Sequence, residues 1–331
     1  MHRKTPTSQQ RSTSLSSIGD GRPARTTSWH STHVFIPHSY FDDYLYEVVW
    51  PAVLEHKLHG QFFFLRYWQG GPHLRVRYRP GQERAAMVVD QFVKDLRAGI
   101  PTFDTESSQE YAAAAEFQSE LARLEGEEVI PARPLGNAEA VPYVPELRKY
   151  GGKEGVAAAE QVFCATSTWV LETLAERRGR GTPPPPPIGE SVHVAAMFLA
   201  GSGLGVSDSV GFLEHYESWW SRYSTPEQQA SWPLIYERIA DNLRAVAQGA
   251  WGVRQPADPL FSLAGKTLDS LQHGDPVPAR ALDVNGTPFT GCLSNYIHTT
   301  NNRLGLIPAG EGLLAYLLRR ALSETFLGHE A

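Results

Sequence analysis

Apolar and polar positions alternate most sharply over residues 61–79, QFFFLRYWQGGPHLRVRYR. Residues 62–67 and 73–78 are short runs rich in aromatic and branched side chains, joined by Trp68-Gln69-Gly70-Gly71-Pro72, and this pattern predicts a β-hairpin. Strand alternation places His73, Arg75 and Arg77 on one face and Leu74, Val76 and Tyr78 on the other. Residues 29–37, WHSTHVFIP, read as a further strand. Helical periodicity then dominates. A helix over about 40–58 is capped by Ser39 and carries Asp42 and Asp43 in its first turn, and Pro51 predicts a kink or break in it. Residues 82–98 repeat Ala86, Val89, Phe92 and Leu96 on one stripe, and 107–124 form another helix that Ser107 or Ser108 could cap. Residues 127–152 are proline-rich and should run extended with turns. A strong helix follows over 153–177, with Val156, Phe163, Val170 and Leu171 as core candidates. After the proline spacer at 179–188, helices are predicted near 191–199, 207–223, 226–248, 259–272 and 311–323. A polar-rich helix also starts near Leu293.

These elements predict an α+β fold: a small, mostly antiparallel sheet packed with many helices, in one compact domain over 28–331. With 331 residues, 41% hydrophobic composition, eight Trp and fourteen Phe, a sizeable core is within reach. Residues 1–27 are rich in Ser, Thr, Arg and Gln and hold a single acid, Asp20, so a disordered tail is expected there. A net charge of -6 and a pI near 6.1 argue against a general nucleic-acid or membrane-surface protein. No apolar run is long enough to span a membrane. Cys164 and Cys292 lack metal-ligand spacing and sit in apolar contexts, which suits buried thiols in a reducing, cytoplasmic setting.

Candidate chemistry concentrates in three stretches. An alternating strand is ordinarily half solvated, but the charges beside His73 are all of one sign and the neighbouring Phe62-Phe63-Phe64-Leu65 is apolar on both faces. Two arginines on a largely buried sheet need an anion, from the protein or from a ligand, and a ligand is the preferred source. The second stretch, YVPELRKYGG, presents Arg148 and Tyr150 before the helix at 153. The third, GCLSNYIHTTNNRLGL, places His298 and Asn302 four residues apart on one helical face, flanked by Asn301 and Arg303, a density that suggests a buried hydrogen-bond network. Gly201-Ser-Gly203-Leu-Gly205 lacks the preceding strand and downstream acid of a nucleotide site and reads as a turn. Asn285-Gly286-Thr287 also reads as a turn. No metal cluster or cofactor motif is evident.

In order and spacing, RYWQGGPHLRVRY, ELRKYGG and HTTNNRLG resemble the C-terminal elimination domain of class I lantibiotic dehydratases and the stand-alone thiopeptide-type bacteriocin biosynthesis proteins. The resemblance runs from Trp29 onward. The large N-terminal glutamylation domain of full-length dehydratases has no counterpart here, so a separate tRNA-dependent glutamylating partner is expected. The resemblance implies glutamate elimination from esterified Ser or Thr of a ribosomal precursor peptide, leaving dehydroalanine or dehydrobutyrine. The basic residues used by elimination members match Arg75, Arg77, Arg148 and His298. Guanidinium groups would hold the glutamyl carboxylate and the enolate, and the imidazole would move a proton. Arg66, His73, Tyr150, Asn302 and Arg303 are expected in support. The same resemblance also admits thiopeptide pyridine synthases, which join two dehydroalanines by a formal aza-cycloaddition and then lose water and the leader peptide. That reading ranks second, because it needs fewer arginines around a carboxylate. A leader-binding scaffold, accepting a peptide strand at the hairpin edge, ranks third.

Overall fold

The computed structural model describes residues 28–81, 85–126, 128–179, 187–252, 254–274 and 276–328. The tail expected at 1–27 lies outside the described residues, as do residues 180–186 of the proline spacer. The first strand, β1 (His30–Phe35), leads through a 3-10 turn into helix α1 (Phe41–Tyr44) and then α2 (Trp50–Glu55). Between the two helices a π-helical turn, Leu45–Val49, widens the backbone. Proline has no N–H for the carbonyl one turn back and its ring crowds that carbonyl; the break expected at Pro51 is realised as this wider turn just before it.

The hairpin follows as β2 (Phe62–Tyr67) and β3 (His73–Tyr78), with the bounds that the alternation predicts. Helices α3 (Ala85–Ala98) and α4 (Thr105–Glu125) come next. Asp104, not a serine, caps α4, its carboxylate accepting the Ser107 amide at 2.8 Å. The extended segment supplies β4 (Ala138–Ala140). The order of the antiparallel sheet is β2-β3-β1-β4. Helix α5 (Gly152–Gly179) and α6 (Ile188–Gly201) precede α7 (Val206–Trp220), α8 (Pro226–Trp251) and α9 (Pro259–Leu271). A two-residue hairpin, β5 (Asp283–Val284) and β6 (Thr287–Pro288), turns on Asn285 and Gly286, both at positive φ. That turn leads into α10 (Phe289–Leu304) and α11 (Pro308–Leu322).

The molecule is thus an α+β unit. Helices α5 and α10 pack on β2, while α6 sits among α8, α9, α10 and α11, and α11 lies along α7. From Val194 to Leu199 every residue of α6 is buried, as expected of a helix with apolar residues all round.

The outer edge of β2 is covered by side chains. The Phe64 amide donates to Ser167 Oγ at 3.2 Å, and the Phe64 carbonyl accepts from Arg303 Nε at 2.8 Å. One turn of the pleat further on, the Arg66 amide donates to Asn302 Oδ1 and the Arg66 carbonyl accepts from Asn302 Nδ2, each at 2.9 Å. The primary amide of Asn302 therefore imitates the next strand of the sheet. An edge so occupied cannot accept another strand, which removes the docking place that the scaffold reading requires. Asn302→Ala would leave both Arg66 backbone groups unpaired, and a loss of about 2–3 kcal/mol of folding stability is expected. The check is a lower urea midpoint at unchanged m-value; a wild-type midpoint would mean that water substitutes for the side chain.

Candidate functional site

The pairing registers His33↔Arg75↔Leu65 and Ser31↔Arg77↔Phe63 put His33, His73, Arg75, Arg77, Phe63 and Tyr67 on one face of the sheet. The guanidinium of Arg75 lies 3.3 Å from the Tyr67 ring centre, and its Nε donates to His73 Nε2 at 3.2 Å. His73 Nδ1 donates in turn to the Gly71 carbonyl at 2.8 Å, which settles its tautomer. Arg77 lies between aromatic rings, 4.8 Å from Tyr143 and 5.4 Å from Phe63. Among the described residues neither arginine forms an ion pair with a carboxylate. Burial lowers both, Arg75 to about 10. Burial, with the two arginines adding to it, pushes His33 and His73 down to about 3. The expected row of cationic and proton-carrying groups is therefore two guanidinium charges among neutral imidazoles.

The supporting residues separate by role. Arg66 points away from this face and clamps the C-terminus of α10. Its Nε and Nη2 donate to the Arg303 carbonyl at 3.1 and 2.9 Å, and Nη2 also meets Asp42 at 2.5 Å. Asn302 and Arg303 are spent on the β2 edge. Arg148 is exposed, and its carbonyl accepts from Thr287 Oγ1 at 3.2 Å. Tyr150 is buried with its ring stacked on Tyr296 at 5.8 Å. The glycine pair after it has a steric reason: Gly151 has φ +76°, and a Cβ there would stand 2.2 Å from the Val284 carbonyl oxygen.

His298 belongs to a different neighbourhood. Its Nδ1 lies 2.9 Å from Glu311 Oε1, and its ring stacks on Trp220 at 4.5 Å between centres. Glu311 is fully buried, and its Oε2 accepts from Tyr216 OH at 2.7 Å and from Asn301 Nδ2 at 2.9 Å. The two oxygens of Glu311 thus gather a hydroxyl, an amide and an imidazole. His298 Nε2 makes no hydrogen bond among the described residues. Trp220 and Tyr216 also line a pocket of about 450 Å³, together with Leu204, Phe212, Trp219 and Ser294. Helical periodicity sets the separation: His298 and Tyr296 lie on nearly opposite sides of α10. Among the described residues no side-chain contact joins His298 to Arg75, Arg77 or Arg148; the two strand arginines contact groups on or beside the sheet.

Glu311, Tyr216, Asn301 and Trp220 complete this network, and only Asn301 stands out in the sequence. Glu311 is an acid in the first turn of a helix, where acids commonly serve the helix dipole. A metal could be held by Glu55, His56 and Asp95, whose ligand atoms lie within 4.8 Å of one another. His56 Nε2 already bonds Asp95 at 2.6 Å there.

Residues 29–322 match the family described as lantibiotic biosynthesis dehydratase C-term. The chain belongs to this family. No curated protein matches it in sequence. Among solved structures, the pyridine synthase TbtD from thiomuracin biosynthesis aligns at a TM-score of 0.64 and 21% identity, covering 91% of this chain and all of that one. The tRNA-dependent lantibiotic dehydratase MibB from Microbispora sp. 107891 aligns at 0.57 and 19% identity, covering 95% of this chain and 29% of its own. TsrL aligns at 0.55 and 19% identity, covering 91% and 96%. At these identities the likeness is one of fold. The family is one named for lantibiotic biosynthesis, and its model spans nearly all of the described residues. Among the described residues no helix is long and apolar enough to cross a membrane.

The neutral imidazoles make stability pH-dependent. His73 ordinarily titrates at 6.5 and is held at about 3 when folded. Above pH 6.5 both states are neutral and the full stability is present; below it the unfolded chain binds a proton that the folded chain refuses. Stability should fall by about 1.4 kcal/mol per pH unit for this group, until the folded imidazole itself protonates. His33 acts in the same direction. Urea midpoints between pH 7 and pH 4 measure the slope, and His73→Gln should reduce it by one proton's share.

Proposed function

We propose that this protein is a pyridine-forming cyclase that joins two dehydroalanines of a ribosomal precursor peptide. The observation that carries this reading is the His298–Glu311–Tyr216 network beside a pocket walled by Trp219, Trp220 and Phe212. The reaction is a sequence of proton movements around two carbon–carbon bond formations. A hydrogen leaves an amide nitrogen for the neighbouring carbonyl oxygen, which makes a 2-azadiene. The azadiene and the second alkene then form two carbon–carbon bonds and close a six-membered ring. Water departs from the former carbonyl carbon, and the leader departs as its amide, so that the ring becomes aromatic. Each proton transfer suits an imidazole whose Nδ1 is anchored and whose Nε2 is free. Flat aromatic walls suit the stacking of planar unsaturated groups. The fold likeness to a pyridine synthase over that enzyme's whole length supports the same reading.

This reverses the order given by the sequence, which placed glutamate elimination first. That order assumed that Arg75, Arg77, Arg148 and His298 converge on a dicarboxylate, whereas Arg148 is exposed and His298 partners Glu311 and Trp220. Elimination stays as the second reading on one observation: among the described residues Arg75 and Arg77 form no ion pair with a carboxylate and are placed to grip a glutamyl group. Elimination needs a substrate already glutamylated, whereas cyclisation needs one that already carries two dehydroalanines.

Two incubations decide between them. A peptide carrying dehydroalanines should lose water and its leader and gain pyridine absorbance, whereas a peptide glutamylated on serine should be unchanged. Loss of glutamate from the second peptide, with the first unaltered, would reverse the assignment. His298→Ala should lower kcat on the dehydroalanine peptide about 10²–10⁴-fold. Glu311→Gln, which keeps the shape but not the charge, should lower kcat more than it changes KM.

A further inference from the structure

Helices α2 and α3 meet on the side of the sheet away from Arg75 and Arg77. Phe92 of α3 packs 4.6 Å from the ring of Tyr78, which faces opposite to those arginines on β3. The His56 ring stands edge-on to Phe92 at 5.9 Å. His56 Nε2 lies 2.6 Å from Asp95 Oδ2, and Asp95 Oδ1 accepts from Gln91 Nε2 at 3.0 Å. Glu55 completes a trio: one ligand atom from each of Glu55, His56 and Asp95 lies within 4.8 Å of the other two. Backbone bonds from His56 to the Ala52 carbonyl and from Leu58 to the Val53 carbonyl, at 3.0 and 2.9 Å, close this end of α2. Glu55 and His56 are therefore presented from a fixed helix end.

The charges in this corner do not balance. The continuous helical run 41–55 ends at Glu55, and α3 ends three residues after Asp95. Helix C-termini are the negative ends of their dipoles, where a cation is stabilised and a carboxylate is not. Among the described residues no lysine or arginine pairs with either acid. Arg97, in the same turn of α3 as Asp95, spends its guanidinium on the Ala138 carbonyl at 3.2 Å. Acids alone are ordinary on a protein surface. Here an imidazole whose side chain is only 11% exposed converges with them, at two helix ends that both favour positive charge.

We propose that Glu55, His56 and Asp95 form a zinc site, holding the ion by one imidazole nitrogen and two carboxylate oxygens. Zinc takes such donors at about 2.0–2.2 Å in a tetrahedron, which sets neighbouring donors about 3.3 Å apart. The His56–Asp95 contact opens to that spacing and Glu55 closes to it. An imidazole in the set selects against magnesium and calcium, which take oxygen ligands. Gln91 engages Oδ1 of Asp95 and so leaves Oδ2 for the ion. Three protein ligands keep the fourth position for water. The ion joins α2 to α3 behind the sheet, and it is independent of which reaction the protein performs.

The whole protein, stripped with a chelator and dialysed, should take up one zinc ion in calorimetric titration with zinc chloride. Its Tm should rise saturably with zinc and not with magnesium. Cobalt(II) should give visible absorption bands that zinc abolishes, and His56→Ala should remove them. Glu55→Ala changes an exposed side chain and keeps the test valid should His56→Ala fail to fold. It should raise the zinc concentration at half-saturation by at least about tenfold, the smallest loss when even an outer partner of a metal ligand is removed. No zinc uptake by the stripped protein would overturn the proposal, as would uptake undiminished in Glu55→Ala.

Discussion

Two consecutive side chains of α10, Asn302 and Arg303, stand where a fifth strand would otherwise pair with β2. The rest of the architecture depends on this contact. A sheet edge carries unpaired amides and carbonyls that must be paired, covered or kept in water, and here the cover is a helix that also belongs to the bundle. Arg66 answers from the strand by gripping the carbonyl of Arg303 at the helix end. The sheet and the helices are thereby joined by backbone-to-side-chain bonds in both directions. Because those bonds fix the rotation of α10 about its axis, they also fix where the side chains of its other faces point.

That rotation divides the polar residues of α10 between two surroundings. The face carrying Tyr296 and Arg303 turns toward α5 and Tyr150, where donors outnumber acceptors and burial disfavours charge. The face carrying His298 turns toward α7 and α11, where Glu311 collects an imidazole, a phenol and an amide. One environment is a junction rich in positive charge, and the other is a hydrogen-bonded network around a buried carboxylate beside an aromatic pocket. Reading the helix as a single functional stretch merges two things that geometry keeps apart.

The local code of the fold is legible residue by residue. Alternation marks β2 and β3 to the residue, Gly70 and Gly71 mark the turn at positive φ, and Asn285-Gly286 marks the small hairpin. Pro51 marks a break in the first helical stretch, although only the backbone shows that a π turn absorbs it. Asp104 was a less visible cap than Ser107 because both residues suit a helix start, and the choice lies in backbone dihedrals at one position. Of the candidate site, His298 stands out by its polar neighbours. Glu311 and Tyr216 do not, because an acid in a first helical turn and a tyrosine in a core stripe have ordinary explanations.

Periodicity, turn residues and charge sign are local properties, so the sequence by itself determined the helices, the hairpin, the shared face of His73, Arg75 and Arg77, and the family. Partnership is not local. Whether Arg303 meets a substrate or a strand edge depends on a carbonyl at Phe64, and whether His298 meets an arginine or Glu311 depends on how α11 lies against α7. Only the packed structure decides these, because a buried polar group takes whatever partner three-dimensional proximity supplies, and that partner determines whether it is scaffold or chemistry.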